Sequence, residues 1–301
     1  MRILITGGTG LIGQAFVHAH LNEHEFLIVS RNPNKVLQTF PEAVSTGKVA
    51  CVTLAELNED VRVDAVINLA GEPIADKRWS DKQKHLICDS RWHTTQALVD
   101  WMHSATTKPS VFISGSAIGY YGRQDDKPVA EDFADIHHEF SHELCAQWES
   151  IAQSAPESVR LCTARTGVAL SAEGGALGKM LMPFKFGLGG PVSPGTQGFS
   201  WIHIDDMVAG LAFLLNQKDA YGAFNFTAPN PVSNAVFSKA LAKRLNRPCL
   251  FKVPQISMKL LLGEGADLLT TGQFVIPQRL LDAGFEFRYG TVQEALDALE
   301  L

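Results

Sequence analysis

The chain of 301 residues is 46% hydrophobic and 19% charged, with a formal net charge of -6 and a pI near 5.9. That is long enough for a full core in one large α/β unit with a smaller appended region, and the balance is that of a soluble globular enzyme. No basic stripe is offered to a nucleic acid and no apolar run is long enough to span a bilayer, so neither nucleic acid nor membrane is expected as a partner. Cys51, Cys88, Cys145, Cys162 and Cys249 are scattered, odd in number and without CxxC spacing, as expected of reduced thiols in the cytoplasm. Met1 and Arg2 lead straight into the first strand with no signal peptide, and there is no internal repeat or low-complexity tract.

The first thirteen residues, MRILITGGTGLIG, organise the rest. Arg2 to Thr6 is a β-branched and leucine-rich run that suits a buried parallel strand. It enters Gly7, Gly10 and Gly13 at three-residue spacing, with Thr9, Leu11 and Ile12 in the same turn, before an amphipathic helix over Leu11 to Asn22. A chain that reverses here, approaches a pyrophosphate and packs a helix against the strand needs glycine, because a Cβ obstructs each step. The helix amides and dipole then face the phosphates. Gly7, Thr9, Gly10, Leu11, Ile12 and Gly13 are therefore candidate cofactor contacts.

Phe26 to Val29 reads as the second strand and ends Ser30-Arg31-Asn32-Pro33. An acid at this point would accept from the ribose 2'-hydroxyl of NAD; Arg31 stands there instead, and its planar fork suits a 2'-phosphate, so NADP(H) is the expected cofactor, with Lys35 one turn on as a second cation. Val49 to Leu54 and Asp64 to Leu69 are the third and fourth strands, the latter emptying into Leu69, Ala70 and Gly71, small enough for the backbone to reach a cofactor. Ser80-Asp81 caps a long helix within Lys77 to His103. Val111 to Ser114 is the fifth strand, followed by Ser116, Tyr120 and Tyr121 beyond the carboxyl edge, where doubly wound sheets present their chemistry. A helix over Ile136 to Gln153, a sixth strand over Arg160 to Arg165 and a seventh over Gly222 to Thr227 complete the frame.

Gly187 to Gly198 is glycine and proline punctuated and predicts a long loop over the cofactor mouth, either a lid or a rigid connector. Asp205 and Asp206 are expected to cap a helix from Met207 to Leu215. His203 beside them has no nucleophile elbow and makes no hydrolytic triad, and the ten histidines show no HExxH spacing, so no metal is expected. Pro229 to Leu245 predicts a turn and helix. Pro254 to Tyr289 is expected to roof the substrate cleft, with Met258, Leu260, Leu261, Leu262 and Phe274 in the core.

With the glycine turn, NLAG at 68 to 71, SGSAIGYYG at 114 to 122, RTGVALS at 165 to 171 and WIHIDDM at 201 to 207, the whole chain resembles the extended short-chain dehydrogenase/reductases, relatives of the sugar-nucleotide epimerases and dehydratases. Its ending, LLGEGADLLTTGQFVIPQRLLDAGFEFRY at 261 to 289, is similar to that of the atypical bacterial epimerase family proteins, whose substrate is unknown. The resemblance implies a Rossmann-type doubly wound parallel sheet over 1–170, with 205–228 returning to it, and a smaller C-terminal α/β substrate region from 171–204 and 229–301. It also implies cofactor contacts at Ser114 and at Arg91, which stands for the usual helix asparagine, and a catalytic serine at Ser116.

The chain departs from that family where the chemistry lies. The YxxxK tyrosine moves the proton while its lysine holds the nicotinamide ribose and lowers the tyrosine pKa. Here the helix reads Ser141-His142-Glu143-Leu144-Cys145. A serine is too weak an acid and a neutral thiol supplies no cation. Tyr120 and Tyr121 are then the nearest substitute acids, against aromatic packing as the alternative, and Cys145 is either a reactive thiol or an inert buried one. Three functions stay open: an atypical NADP(H)-dependent oxidoreductase acting on a small carbonyl-bearing or sugar-like metabolite, a catalytically silent NADP(H)-binding sensor or scaffold, and a nucleoside-diphosphate-sugar epimerase. A homodimer is left open as well.

Overall fold

In a computed structural model that describes residues 1–301, seven strands form one sheet: β1 (Arg2–Thr6), β2 (Glu25–Val29), β3 (Val49–Val52), β4 (Ala65–Asn68), β5 (Val111–Ala117), β6 (Arg160–Thr166) and β7 (Gly222–Phe226). The order is β7-β6-β5-β4-β1-β2-β3, and every neighbouring pair is parallel. This is the expected doubly wound Rossmann sheet, with its order reversing at β1 and β4, where the carboxyl ends open a crevice.

Alternation along the strands builds two cores. Ile3 and Ile5 of β1 face a cluster with Phe16 of helix Leu11–His20 and with Leu211 and Leu214 of helix Ile204–Asn216; Leu4 faces the other way, toward Leu98 and Met102 of helix Asp81–Ser104 and Ala152 of helix Phe140–Ala152. A side-chain period of two sends successive residues to opposite helix layers. A third core, with Leu177, Trp201, Phe237, Leu241 and Leu296, joins helices Gly175–Lys185, Asn234–Arg244 and Val292–Ala298 of the C-terminal half. The short strand Trp201–His203 pairs in parallel with Val168–Leu170 beneath it.

Several boundaries differ from expectation, each for a visible reason. The fifth strand runs on to Ala117, because β6 pairs with it as far as Ala117↔Thr166, so Ser116 lies within the sheet. The helix expected from Ile136 starts at Phe140 because the backbone N–H of His137 is drawn to the Tyr121 carbonyl and Arg123 holds Glu139. The helix near 205 begins at Ile204, and its cap is His203, whose Nδ1 accepts from the Asp205 backbone N–H. Asp206 instead accepts from the backbone N–H groups of Arg288 and Tyr289, tying the C-terminal segment to this helix. The 187–198 segment is a connector strapped to the C-terminal half: Val192 and Ser193 donate to Asn234 and Val253, and Gln197 donates to the Leu269 carbonyl. Leu260 and Leu261, expected in the core, are 75% and 66% exposed, because helix Gln255–Leu262 buries none of its residues.

Candidate active site

The glycine turn is shaped by close approach. Gly7 has φ +68, and a Cβ there would come within 2.6 Å of the Leu69 carbonyl oxygen; one on Gly13 would meet the Gly7 carbonyl oxygen at 2.3 Å. Turn, helix and the β4 exit are thus packed backbone against backbone, which only glycine allows. Gly10 is the N-cap of helix Leu11–His20 and is exposed, and no side chain caps that helix, so its first amides stay open beside half-buried Thr9, Leu11 and Ile12. An uncapped N-terminus over a cradle that a Cβ would fill fits the pyrophosphate of a dinucleotide.

The adjoining loop is held from below. Thr6 Oγ1 accepts from the Ala70 N–H at 3.1 Å and donates to Asn68 Oδ1 at 2.6 Å; Asn68 Nδ2 and Trp148 Nε1 both donate to Thr95 Oγ1 at 2.8 Å. Leu69, Ala70 and Gly71 therefore leave β4 in a fixed path. Arg91 lies under Gly71, where a Cβ would meet its guanidinium carbon at 2.8 Å. Its Nη1 donates to the carbonyls of Glu72 and Ile87, while Nε and Nη2 make no hydrogen bond within the chain. Burial pulls this guanidinium below its ordinary pKa. Arg31 and Lys35 are exposed past the end of β2, and Arg31 joins no ion pair. The Glu72 carboxyl is held below its ordinary value chiefly by Lys77, with a smaller contribution from the Arg31 charge.

At the end of β5 the expected catalytic group divides. Ser114 is fully buried and its hydroxyl turns to the neighbouring Gly115 carbonyl, so it contributes strand structure and reaches no cofactor surface. Ser116 is 4% exposed and donates to Glu149 Oε1 at 2.7 Å. Glu149 in turn accepts from Arg165 Nε and Nη2, each at 2.9 Å, a forked ion pair with side chains 5% and 6% exposed. Burial opposes the charge on Arg165, but Glu149 holds its guanidinium above the ordinary value. Arg165 Nη1 donates to the Tyr121 hydroxyl at 2.9 Å, which donates to Asn225 Oδ1 at 2.8 Å. Tyr121 is fully buried, and burial pushes its phenol up to about 12. It is a core residue of this network and has no access to a substrate.

Tyr120 is different. It is half-buried, the Arg165 guanidinium carbon lies 3.6 Å from its ring centroid, and its carbonyl accepts from His142 Nδ1 at 2.6 Å, yet its hydroxyl makes no hydrogen bond within the chain. Cys145 is 2% exposed; burial first and the Glu149 charge second push its thiol up to about 12, so it is an inert thiol. The turn Ile118–Tyr121 packs directly on this helix face: a Cβ on Gly119 would lie 3.1 Å from Ser141 Cβ and 3.6 Å from Cys145 Sγ. Main chain thus fills the space over the two positions that carry tyrosine and lysine in the YxxxK pattern.

The Glu149–Arg165 pair was missing from the candidate residues. Its signal lies in the helix period: Glu149 is four residues past Cys145 and eight past Ser141, a carboxylate on an otherwise buried face. Away from the mouth, His20, Glu23 and His24 bring ligand atoms within 4.8 Å of one another at the opposite end of helix Leu11–His20.

The sheet order, the glycine cradle at its switch point and the buried network at the end of β5 define a dinucleotide-binding protein of the extended short-chain dehydrogenase/reductase type. Residues 3–226 match the NAD dependent epimerase/dehydratase family, and residues 253–299 match DUF1731, a domain of unknown function. The chain belongs to the NAD dependent epimerase/dehydratase family. It is 37% identical over 302 residues to the chloroplastic "Epimerase family protein SDR39U1 homolog" of Arabidopsis thaliana, covering 99% of this chain and 86% of that one. The crystal structure of human epimerase family protein SDR39U1 with NADPH aligns with a TM-score of 0.91 at 32% identity, covering 99% of both chains. UDP-glucuronic acid 4-epimerase of Bacillus cereus, solved with UDP-glucuronic acid and NAD, shares the fold at a TM-score of 0.78, 17% identity, 99% coverage of this chain and 97% of its own.

Proposed function

We propose that this protein is an NADP(H)-dependent oxidoreductase acting on a small carbonyl-bearing or sugar-like metabolite, with Tyr120 as the proton donor. The observation that carries the reading is the glycine cradle with an unpaired Arg31 at the end of the neighbouring strand, a phosphate-complementary cation where NAD-preferring folds place an acid. The human relative solved with NADPH supports the same preference.

When bound, the cofactor supplies a hydride to the carbonyl carbon; the protein's part is to orient the substrate and deliver a proton. Ser116 cannot donate, because its hydrogen is held by Glu149, so it serves as an acceptor that aligns a substrate hydroxyl. Tyr120 carries the phenol without an internal partner, and the proton moves from that oxygen to the substrate oxygen. The test is NADPH oxidation screened over quinones, aldehydes and enones. With a turned-over substrate, Tyr120→Phe should lower kcat/KM by about 100- to 10,000-fold with NADPH affinity kept, the range for losing a positioned acid. Undiminished turnover in that variant would remove Tyr120 from the chemistry.

A silent NADP(H)-binding sensor or scaffold is the second reading, favoured by the packing of Gly119 over Ser141 and Cys145. Tight NADPH binding with no turnover in any carbonyl class would support it. Epimerisation is the weakest of the three, since it needs an acid and base that the face at 141 and 145 lacks.

A further inference from the structure

Two stretches, 174–204 and 220–263, contain no aspartate or glutamate: every formally charged side chain in them is lysine or arginine, in a chain whose net charge is -6. The fold joins parts of both at one tip of the C-terminal half. The segment leaving helix Gly175–Lys185 lies against residues 247–253. Arg247 Nε donates to the Lys185 carbonyl at 2.8 Å and the Val253 N–H to the Pro191 carbonyl at 2.9 Å, and a Cβ on Gly190 would fall 1.8 Å from the Phe251 oxygen. Helix Gln255–Leu262 follows at once after Pro254.

This tip is apolar as well as basic. Phe186 is 72% exposed, Leu250 79% and Ile256 72%, with Leu188, Phe251 and Leu260 also exposed. Monomeric soluble proteins rarely leave so many large apolar side chains together in water, so the patch has a counterpart. Lys185, Arg247, Lys252 and Lys259 are exposed among them, and none of the four forms an ion pair. An apolar patch alone would admit many occupants. Apolar side chains set among unpaired cations complement a phase that is hydrocarbon inside and anionic outside, in which phenylalanine and leucine enter the headgroup boundary while lysine and arginine meet phosphate.

We propose that this tip docks the protein peripherally on an anionic lipid surface. No helix is long and apolar enough to cross a membrane, so the attachment is by side-chain insertion and charge. Helix Gly175–Lys185 links the tip to the cofactor mouth: Lys185 ends it at the tip, and at its start a Cβ on Gly175 would meet Leu11 Cδ2 of the glycine turn at 2.8 Å. Docking does not depend on which reaction, if any, the mouth performs.

Co-sedimentation of the full chain with phosphatidylcholine vesicles, with and without phosphatidylglycerol, tests this. Binding is expected only with phosphatidylglycerol and should weaken with added salt. Lys252→Gln and Lys259→Gln should each weaken it roughly fivefold, the fold-change equivalent of about 1 kcal/mol per basic residue at such a surface. Phe251→Ser should weaken it further, and all three should melt at the wild-type temperature because the side chains are exposed; should Phe251→Ser melt lower, Leu250→Ser takes its place. Failure to bind the anionic vesicles overturns the proposal, as does equal, salt-insensitive binding to phosphatidylcholine alone. So does a concentration-dependent dimer, seen by light scattering, that Phe251→Ser abolishes while vesicles remain unbound; that result would assign the tip to a second copy of the chain.

Discussion

Ser116 gives its only proton to Glu149, and that hydrogen bond changes what the end of β5 can do. A serine in this place invites reading as a donor to a carbonyl, and its position was legible; the acceptor was not, because it sits 33 residues away on another element. For Tyr121, where acid and aromatic packing both stood open, the structure decides for packing, its hydroxyl being held between Arg165 and Asn225. Removing one member of a buried, hydrogen-bonded ion pair leaves the other charge without compensation, so Glu149→Ala should lower unfolding free energy by about 3–5 kcal/mol in urea denaturation. A loss under about 1 kcal/mol would show that water reaches the pair. His203 makes a pH-dependent contribution. Burial lowers its pKa, Nδ1 is occupied as the helix cap and buried Nε2 has no partner. The unfolded chain takes up this proton first, so the contribution is complete above the unfolded value of about 6.5 and is lost as pH falls toward the lower folded value. His203→Asn keeps a capping acceptor, and thermal melts of this variant from neutral to mildly acid pH should show a flatter decline than wild type; parallel declines would exclude His203 as the titrating group.

Among the elements, β1 with its turn was the most legible, because its constraints are local. Strand, glycines and helix lie within twenty residues; a Cβ at Gly13 is forbidden by the Gly7 carbonyl of the same motif, and the Gly7 φ of +68 favours glycine even before the Leu69 carbonyl of the β4 exit closes on it. Gly13→Ala should abolish NADPH binding and cost about 1–3 kcal/mol of stability from overpacking; retained binding would mean that the turn tolerates a shift the close contacts rule out. The helix at 140–152 was legible in type but not in its start, since His137 is held by the Tyr121 carbonyl in the turn after β5. At helix 255–262, Leu260 and Leu261 were expected in the core and lie at the surface. Its run of leucines looks like core by composition, and only the fold shows that no element covers it.

On the scale of the whole molecule, the seven strands and their parallel sheet were readable because each strand is a short apolar run bounded by turn residues; the central ones, such as Ala65–Asn68, are buried throughout, while the edge strand Val49–Val52 is only partly covered. The absence of a basic stripe was inferred from the overall net charge of -6, which conceals the two acid-free stretches that meet at one tip. The crevice at the other end of those stretches joins Gly7, Gly10 and Gly13 to Arg31, and the account rests on that junction holding NADP(H). Calorimetric titration of NADPH and NADH into wild type and Arg31→Ala tests it most directly. Wild type should prefer NADPH by about 10- to 100-fold, the worth of a charge-assisted phosphate contact, and Arg31→Ala should bind the two cofactors nearly equally. Equal affinities in wild type, or an undiminished preference in Arg31→Ala, would contradict it.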